Sequence, residues 1–348
     1  MKQPTIFSII LNISIIILCW TCSPQVQEEG GPSDSDGLNN GNGDDAKSVD
    51  FYKGVSLSPR SYGTDDFLDF LNLVSETGEV VTWAGDWMEM GEEDGAPDAM
   101  MVFAAEYDFI PVIIAGLYSQ TVGELAHPLD AATRQHYKEI SARFAQEYQP
   151  RLLGFGVEMN ILFERSPLEF TQWVTLFEEV VDTVRSVSPD TRIFTVFQLE
   201  RMSGLRGGLY GGENNTLNHD WDLINQFPSA DFIGFTTYPG LIYGEPGNIP
   251  DNHYIQIPTY TAKPIAFFEI GWHSHAGPIG WESSEEEQAE FIRRFFELIG
   301  DLEPEMTIWP FIFDQNVTDP FHTMGLRRPD GSAKLSWNEW IAIDNSVP

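Results

Sequence analysis

The sequence predicts a single (β/α)8 (TIM) barrel over residues 50–348, and three observations predict it. Short apolar runs, rich in β-branched and aromatic residues, recur eight times between Phe51 and Phe313. Amphipathic segments of helical periodicity separate most of them, the alternation that builds a parallel sheet wrapped in helices. The turn after the first run reads Ser56-Leu57-Ser58-Pro59-Arg60, without the glycine-rich phosphate loop that opens a doubly wound sheet.

The eight runs are Phe51–Leu57, Val80–Ala84, Phe109–Ala115, Leu152–Glu158, Arg192–Gln198, Phe232–Thr237, Pro264–Ile270 and Met306–Phe313. Continuous apolar stretches such as 109–115 and 264–270 suit strands buried on both faces. Helices are predicted at 65–77, 97–107 and 131–148. Another opens at the capping box Ser166-Pro167-Leu168-Glu169, with proline at its first position, and stops before Pro189. Ser283–Glu287 starts a further helix, whose acidic first turn favours the positive dipole end and whose apolar face carries Phe291, Ile292, Phe295, Phe296 and Ile299. A last helix is predicted at 334–342. The helix expected between the sixth and seventh strands is weak, around Tyr254–Tyr260. No internal repeat is visible.

Ahead of the barrel, residues 5–18 are almost wholly apolar and follow Lys2, too short for a membrane span and of signal-peptide length. Cys22 closes this segment before Ser23, so residues 1–22 are expected to be a signal peptide with a lipidation site at Cys22. Residues 23–49 are an acidic Gly/Ser/Asn-rich linker that cannot bury enough surface to order itself. The expected chain is therefore exported, either tethered at the cell surface or outer membrane as a lipoprotein or secreted, with membrane contact only through the lipid. Cys19 and Cys22 are the only cysteines, which removes disulfides, cysteine metal sites and a catalytic thiol from the folded part.

Asp and Glu number 53 against 19 Lys and Arg, a net charge of −34. Such a polyanion is a poor partner for nucleic acid or for anionic headgroups, and it repels acidic substrates; a neutral substrate suffers no such penalty. Aromatic residues make up 13% of the chain, and flat rings suit the apolar faces of pyranoses, although most rings in a chain of this size are core. No cofactor is expected, and the chain is expected to act as a monomer.

Active sites of this fold lie at the C-terminal ends of the strands. The fourth run ends Gly154-Phe155-Gly156-Val157-Glu158-Met159-Asn160, and the seventh ends Phe267-Phe268-Glu269-Ile270-Gly271-Trp272. Burying a lone carboxylate is costly, so a glutamate closing an apolar strand is paired, protonated or functional. Further strand-end candidates are Trp83, Asp86 and Trp87 after the second strand, Gln198 and Glu200 after the fifth, Trp272 after the seventh and Trp309 on the eighth. A core indole is the bland alternative for each tryptophan. His273 and His275 lack a third partner for a metal, and Arg60 is either a carboxylate-positioning group or a surface ion pair.

With a glutamate closing strands four and seven, the chain resembles the clan A glycoside hydrolases, retaining β-glycosidases on (β/α)8 barrels. The resemblance covers roughly residues 51–345. The sixth-strand segment Asp231–Pro239 is similar to the endo-β-1,4-galactanase branch, and Met324–Lys334 is similar to the loop after strand eight. The resemblance implies Glu158 as acid/base, Glu269 as nucleophile, Tyr238 as a hydrogen-bond partner of the nucleophile and Trp309 as a sugar platform. One departure stands out: clan members carry Asn directly before the acid/base, where this chain has Val157. Asn160, two residues beyond Glu158 and on its face of a regular strand, is the expected substitute for that contact to the sugar 2-hydroxyl. The function expected is hydrolysis of a neutral, galactan- or mannan-like polysaccharide by double displacement. A carbohydrate-binding lipoprotein that has lost catalysis is the alternative.

Overall fold

The computed structural model describes residues 49–92, 95–119, 124–275, 277, 280–343 and 346–347. The expected signal segment, Cys22 and all but the last residue of the linker lie outside them. Val49–Asp50 pairs antiparallel with Ser346–Val347, joining the two ends of the described chain.

Eight parallel strands close into a barrel: β1 (Tyr52–Ser56), β2 (Val80–Asp86), β3 (Ile110–Gly116), β4 (Leu152–Phe155), β5 (Arg192–Gln198), β6 (Phe232–Thr237), β7 (Ile265–Ile270) and β8 (Met306–Trp309). Each pairs with its successor in the chain, and β8 pairs with β1 through Met306–Trp309 against Tyr52–Val55. The chain therefore has the predicted (β/α)8 fold. The helices are α1 (Thr64–Thr77), α2 (Ala96–Tyr107), α3 (Ala131–Tyr148), α4 (Met159–Arg165), α5 (Pro167–Val187), α6 (Leu199–Met202), α7 (Asn252–Ile255), α8 (Glu285–Leu298) and α9 (Leu335–Ala342). The Ser166 and Ser284 hydroxyls cap α5 and α8 by accepting from Glu169 N and Glu287 N. Between β6 and β7, where the sequence signal is weak, the chain forms the single-turn α7 and short 3-10 turns at Pro239–Leu241, Pro246–Asn248 and Ile257–Thr259.

Strand alternation divides the core in two. Inward residues, among them Val80, Val112, Leu152, Phe194, Phe232, Phe268, Met306 and Ile308, fill the barrel. Outward ones, such as Val81, Ile113, Leu153, Ile193, Phe235 and Phe267, pack under the helices. Phe194 lies parallel to Phe268 with ring centroids 4.5 Å apart and stacks on Phe232 at 4.6 Å. Glycines make room for these rings: a Cβ on Gly154 would come within 2.6 Å of Phe194, and one on Gly234 within 2.6 Å of Phe268.

Two strands end three or four residues before their predicted C-terminal bounds. The eighth ends at Trp309 rather than Phe313, because Pro310 has no N–H to continue the ladder. The fourth ends at Phe155 rather than Glu158, because the chain turns through positive φ at Gly156 and Glu158.

Candidate active site

Glu158 is set by the break at the end of β4. Gly156 has φ 83°, and a Cβ there would meet Met159 Sδ at 2.5 Å, so the turn is open only to glycine. Glu158 follows at φ 54°, ψ 44°, in the position before α4, with no side-chain capping bond to that helix. A left-handed conformation costs an L-residue about 1–2 kcal/mol, and such strain persists where the surroundings impose it. Here they do. The Tyr118 hydroxyl donates to the Glu158 carbonyl oxygen, and the Thr236 hydroxyl donates to Glu158 Oε1 at 2.6 Å. The side chain is half-buried at the barrel mouth.

Glu269 is set by a bulge in β7. Regular alternation from Ile265 and Phe267 would turn Glu269 outward beneath the helices. Instead the ladder with β6 slips between Phe267, opposite Phe235, and Glu269, opposite Thr236. The extra residue, Phe268, keeps its ring in the barrel, and Glu269 joins the inward face of its partner Thr236. Neighbouring strands stand about 4.8 Å apart. Thr236 thus lies beside one glutamate and is hydrogen-bonded to the other, and the two carboxylates share the mouth of the barrel. The Tyr238 hydroxyl donates to Glu269 Oε2.

The two carboxyl groups have unequal surroundings. Burial, then the charge of Glu269, raises the Glu158 pKa to about 7, against the Thr236 hydroxyl and Arg201, which lower it. Burial also raises Glu269, and the Tyr238 hydrogen bond opposes the rise. Burial and the neighbouring Glu269 hold the Tyr238 phenol well above its ordinary value, so it remains a donor. The pair can hold one proton near neutrality while the other carboxylate is ionised.

A layer of buried polar groups supports the pair. Glu200, on α6 just past β5, is fully buried. It accepts from Gln198 Nε2, from the Thr237 hydroxyl at 2.6 Å, from Tyr238 N at 3.2 Å and from His253 Nε2 at 3.2 Å. Gln198 itself is buried, its Oε1 accepting from Arg201 N at 2.8 Å, so it braces the site instead of facing the cleft.

Several expected sugar contacts are core. Asn160 lies on α4, not on the strand, and is wholly buried. Its Nδ2 donates to Gln198 O at 3.0 Å and its Oδ1 accepts from Gln198 N at 2.8 Å, and its burial presents no atom of the amide to a sugar in the cleft. The strand rule failed there because the strand had already ended. Trp309 and Trp83 fall on outward positions of β8 and β2. Trp309 is fully buried against Phe291 and Trp340 and donates to Met324 O at 2.8 Å. Trp83 is buried with the helix-side core. Trp87 packs on Tyr137 at 4.8 Å, and Trp272 stacks on Phe291 at 5.1 Å while donating to Ser283 Oγ.

Tyr238, which the resemblance had pointed to, forms a small apolar cluster with Leu241, Met324 and half-exposed Tyr210, Phe311 and Phe321; these last three rings escaped the sequence reading. Phe321 stands edge-on to Tyr238 at 5.2 Å, and the Arg201 guanidinium lies over the Tyr210 ring at 4.7 Å. Phe311 follows the Pro310 break, which frees it from the outward face that holds Trp309. The loop at Met324–Lys334 is pinned by buried Lys334, which donates to Asp314 Oδ1 at 2.5 Å and Ser274 Oγ at 2.8 Å. Arg60 is a surface ion-pair residue, with Asp66 and Asp69. Asp86 pairs with His127 at 2.9 Å. His273 is buried and bonded to Trp281 O, while His275 is exposed. Among the described residues no group of three or more His, Cys, Asp or Glu side chains is arranged to hold a metal ion.

No protein-family model matches the chain, and no curated protein matches it. Solved structures do match in fold. A family 39 glycoside hydrolase from the gut symbiont Bacteroides cellulosilyticus WH2 superposes with a TM-score of 0.59 and 18% identity, over 84% of this chain and 63% of that one. The GH53 catalytic domain of Ignisphaera aggregans gives a TM-score of 0.59 and 17% identity, over 85% of this chain and 97% of that one. An exo-β-1,4-mannosidase from Opitutaceae bacterium strain TAV5 gives 0.58 and 15%, over 83% of this chain and 58% of that one. The chain thus spans less than two thirds of the first and third of these proteins. At such identities the likeness is one of fold.

Proposed function

We propose that the chain is a retaining β-glycosidase in which Glu158 is the acid/base and Glu269 the nucleophile. The observation that carries this reading is the convergence of two strand-end carboxylates on Thr236, one of them with its pKa raised to about 7. Glycoside cleavage passes through an oxocarbenium-like state that needs a proton on the leaving oxygen and an anion at the anomeric carbon. Protonated Glu158 gives its proton to the glycosidic oxygen as Glu269 attacks, forming a glycosyl ester. Glu158, now ionised, takes a proton from water as the water displaces Glu269. Tyr238 holds the Glu269 carboxylate in place for the attack. Solved glycoside hydrolases of the same fold support the reading.

The substrate proposed is a neutral polysaccharide of galactan or mannan type, since a net charge of −34 disfavours acidic glycans. The half-exposed rings Tyr210, Phe311 and Phe321 offer faces for sugar stacking. The protein is proposed to be exported and held by a lipid at Cys22. One observation favours a second reading, a glycan binder without turnover. Val157 packs in the apolar barrel interior and Asn160 is committed to Gln198, so neither supplies a hydrogen bond to a 2-hydroxyl. Assay of the exported part on a panel of β-linked polysaccharides separates the two. Release of reducing ends that Glu269→Gln abolishes supports the enzyme. Retention of glycan without release supports the binder.

A further inference from the structure

On the glycosidase reading above, we infer that Glu200 is a positioning residue that fixes Tyr238 and, through it, the Glu269 carboxylate. Tyr238 stands just past the last ladder pair of β6 and β7, Thr237 opposite Ile270. Its backbone N–H is therefore free of the sheet, and the Glu200 carboxylate receives it at 3.2 Å. The neighbouring Thr237 hydroxyl donates to the other Glu200 oxygen at 2.6 Å, so one carboxylate grips two successive residues of the segment that carries the Tyr238 phenol. The phenol in turn donates to Glu269.

The chemistry of the cage calls for a carboxylate. Four donors converge on Glu200: Gln198 Nε2, Thr237 Oγ1, Tyr238 N and His253 Nε2. An ionised carboxylate offers acceptors only, whereas an amide would turn its own N–H groups toward two of these donors. His253 and Tyr254 are buried with it, and the Tyr254 and Thr237 hydroxyls lie 3.1 Å apart, so a lost partner leaves a buried polar group behind. Glu200 makes no hydrogen bond to Glu158 or Glu269, and its charge is the smallest of the influences on the Glu158 carboxyl. Labelling by a glycosyl fluoride needs no proton from Glu158, so it reads the effect of Glu200 on Glu269 through the placement of Tyr238.

The test follows covalent labelling of Glu269 by 2-deoxy-2-fluoro-β-glycosyl fluorides of gluco, galacto, manno and xylo configuration, with rate and final stoichiometry read by mass spectrometry. In Glu200→Gln the labelling rate is expected to fall roughly 10- to 100-fold, the cost of a misplacement of about 1 Å, while labelling still reaches the wild-type stoichiometry. Thr237→Val, which keeps the shape of a buried β-branched side chain, is expected to slow labelling in the same direction by a smaller factor, and it decides the matter if Glu200→Gln does not fold. Wild-type rates in the folded variants, or a loss of stoichiometry at an unchanged rate, overturn the positioning role and leave the glycosidase reading intact. A wild-type protein labelled by none of the fluorides removes that reading, and the positioning role with it.

Discussion

Thr236 stands opposite Glu269 in the β6–β7 ladder and gives its hydroxyl to Glu158 at 2.6 Å. One residue thus links two glutamates that are far apart in the sequence, Glu269 by strand pairing and Glu158 by its side chain. The hydrogen bond favours the ionised form of Glu158, while burial and the charge of Glu269 oppose it. In the proposed reaction Glu158 must be protonated before cleavage. Activity on a substrate with a poor leaving group is therefore expected to decline as pH rises through about 7. Thr236→Val removes a contact that lowers this pKa, so the alkaline limb should move to higher pH. A pH–rate profile of kcat/KM for both proteins checks the sign, and a limb that moved down would contradict the assignment of Glu158.

The two glutamates should fail in different ways. Glu269→Gln removes the nucleophile with little change of shape and is expected to abolish turnover on every substrate while glycan binding persists. Glu158→Gln removes the proton donor. Its loss of kcat/KM, which reports the first step, should be severe for polysaccharides and alkyl glycosides and slight for aryl glycosides whose leaving groups need no proton. Comparing kcat/KM across a series of leaving groups distinguishes them, and a flat series for Glu158→Gln would exclude it as the acid.

Tyr238→Phe deletes the hydroxyl that holds Glu269. Hydrogen bonds to charged groups contribute about 1.5–3 kcal/mol, or roughly 10- to 100-fold in rate if the bond is kept in the transition state. The same bond lowers the Glu269 pKa against the effect of burial. Its removal should therefore also shift the acid limb of the profile upward, because Glu269 acts as the anion. An unchanged acid limb with reduced kcat would mean that Tyr238 serves the sugar rather than the carboxylate.

Periodicity and glutamate placement made the eight strands and both carboxylates legible in the sequence, because parallel barrels bury continuous apolar runs. What it did not disclose was orientation. Glu269 reaches the cleft through a bulge at Phe268, and no residue pattern marks that slip. Trp309 and Trp83 follow the regular alternation and point outward, so choosing indoles by their nearness to a strand end favoured core residues. Applying inward–outward parity to β2 and β8 would have excluded both. Phe311, Tyr118 and Arg201 come from segments beyond the strand ends, where parity has nothing to say. Thr236 was readable in principle, since it shares the inward face of Phe232 and Gly234.

The proposed lipid anchor can be tested without reference to the barrel. Cys22→Ser should move the protein from the membrane to the soluble fraction of the cells that export it, with activity on soluble substrates unchanged. Detergent partitioning of the two proteins measures this. Equal partitioning would rule out acylation at Cys22.

Asn160 yields the sharpest contrast between sequence and structure. On strand spacing it was the candidate to contact the sugar 2-hydroxyl. In the structure its amide closes a two-bond bracket on the backbone of Gln198, whose side chain in turn touches Glu200 and caps the turn at Arg201. Asn160→Ala would leave a buried N–H and a buried carbonyl unpaired, at about 1–3 kcal/mol each. With several kcal/mol lost and roughly 2–4 °C per kcal/mol for a domain of this size, the melting temperature should drop by about 5 °C or more. Because the bracket does not involve the ligand, any loss of kcat/KM should be the same on a glycoside and on its 2-deoxy analogue. A loss confined to the 2-hydroxylated substrate, with normal melting, would restore Asn160 as the sugar contact and require the α4 turn to rearrange when substrate binds.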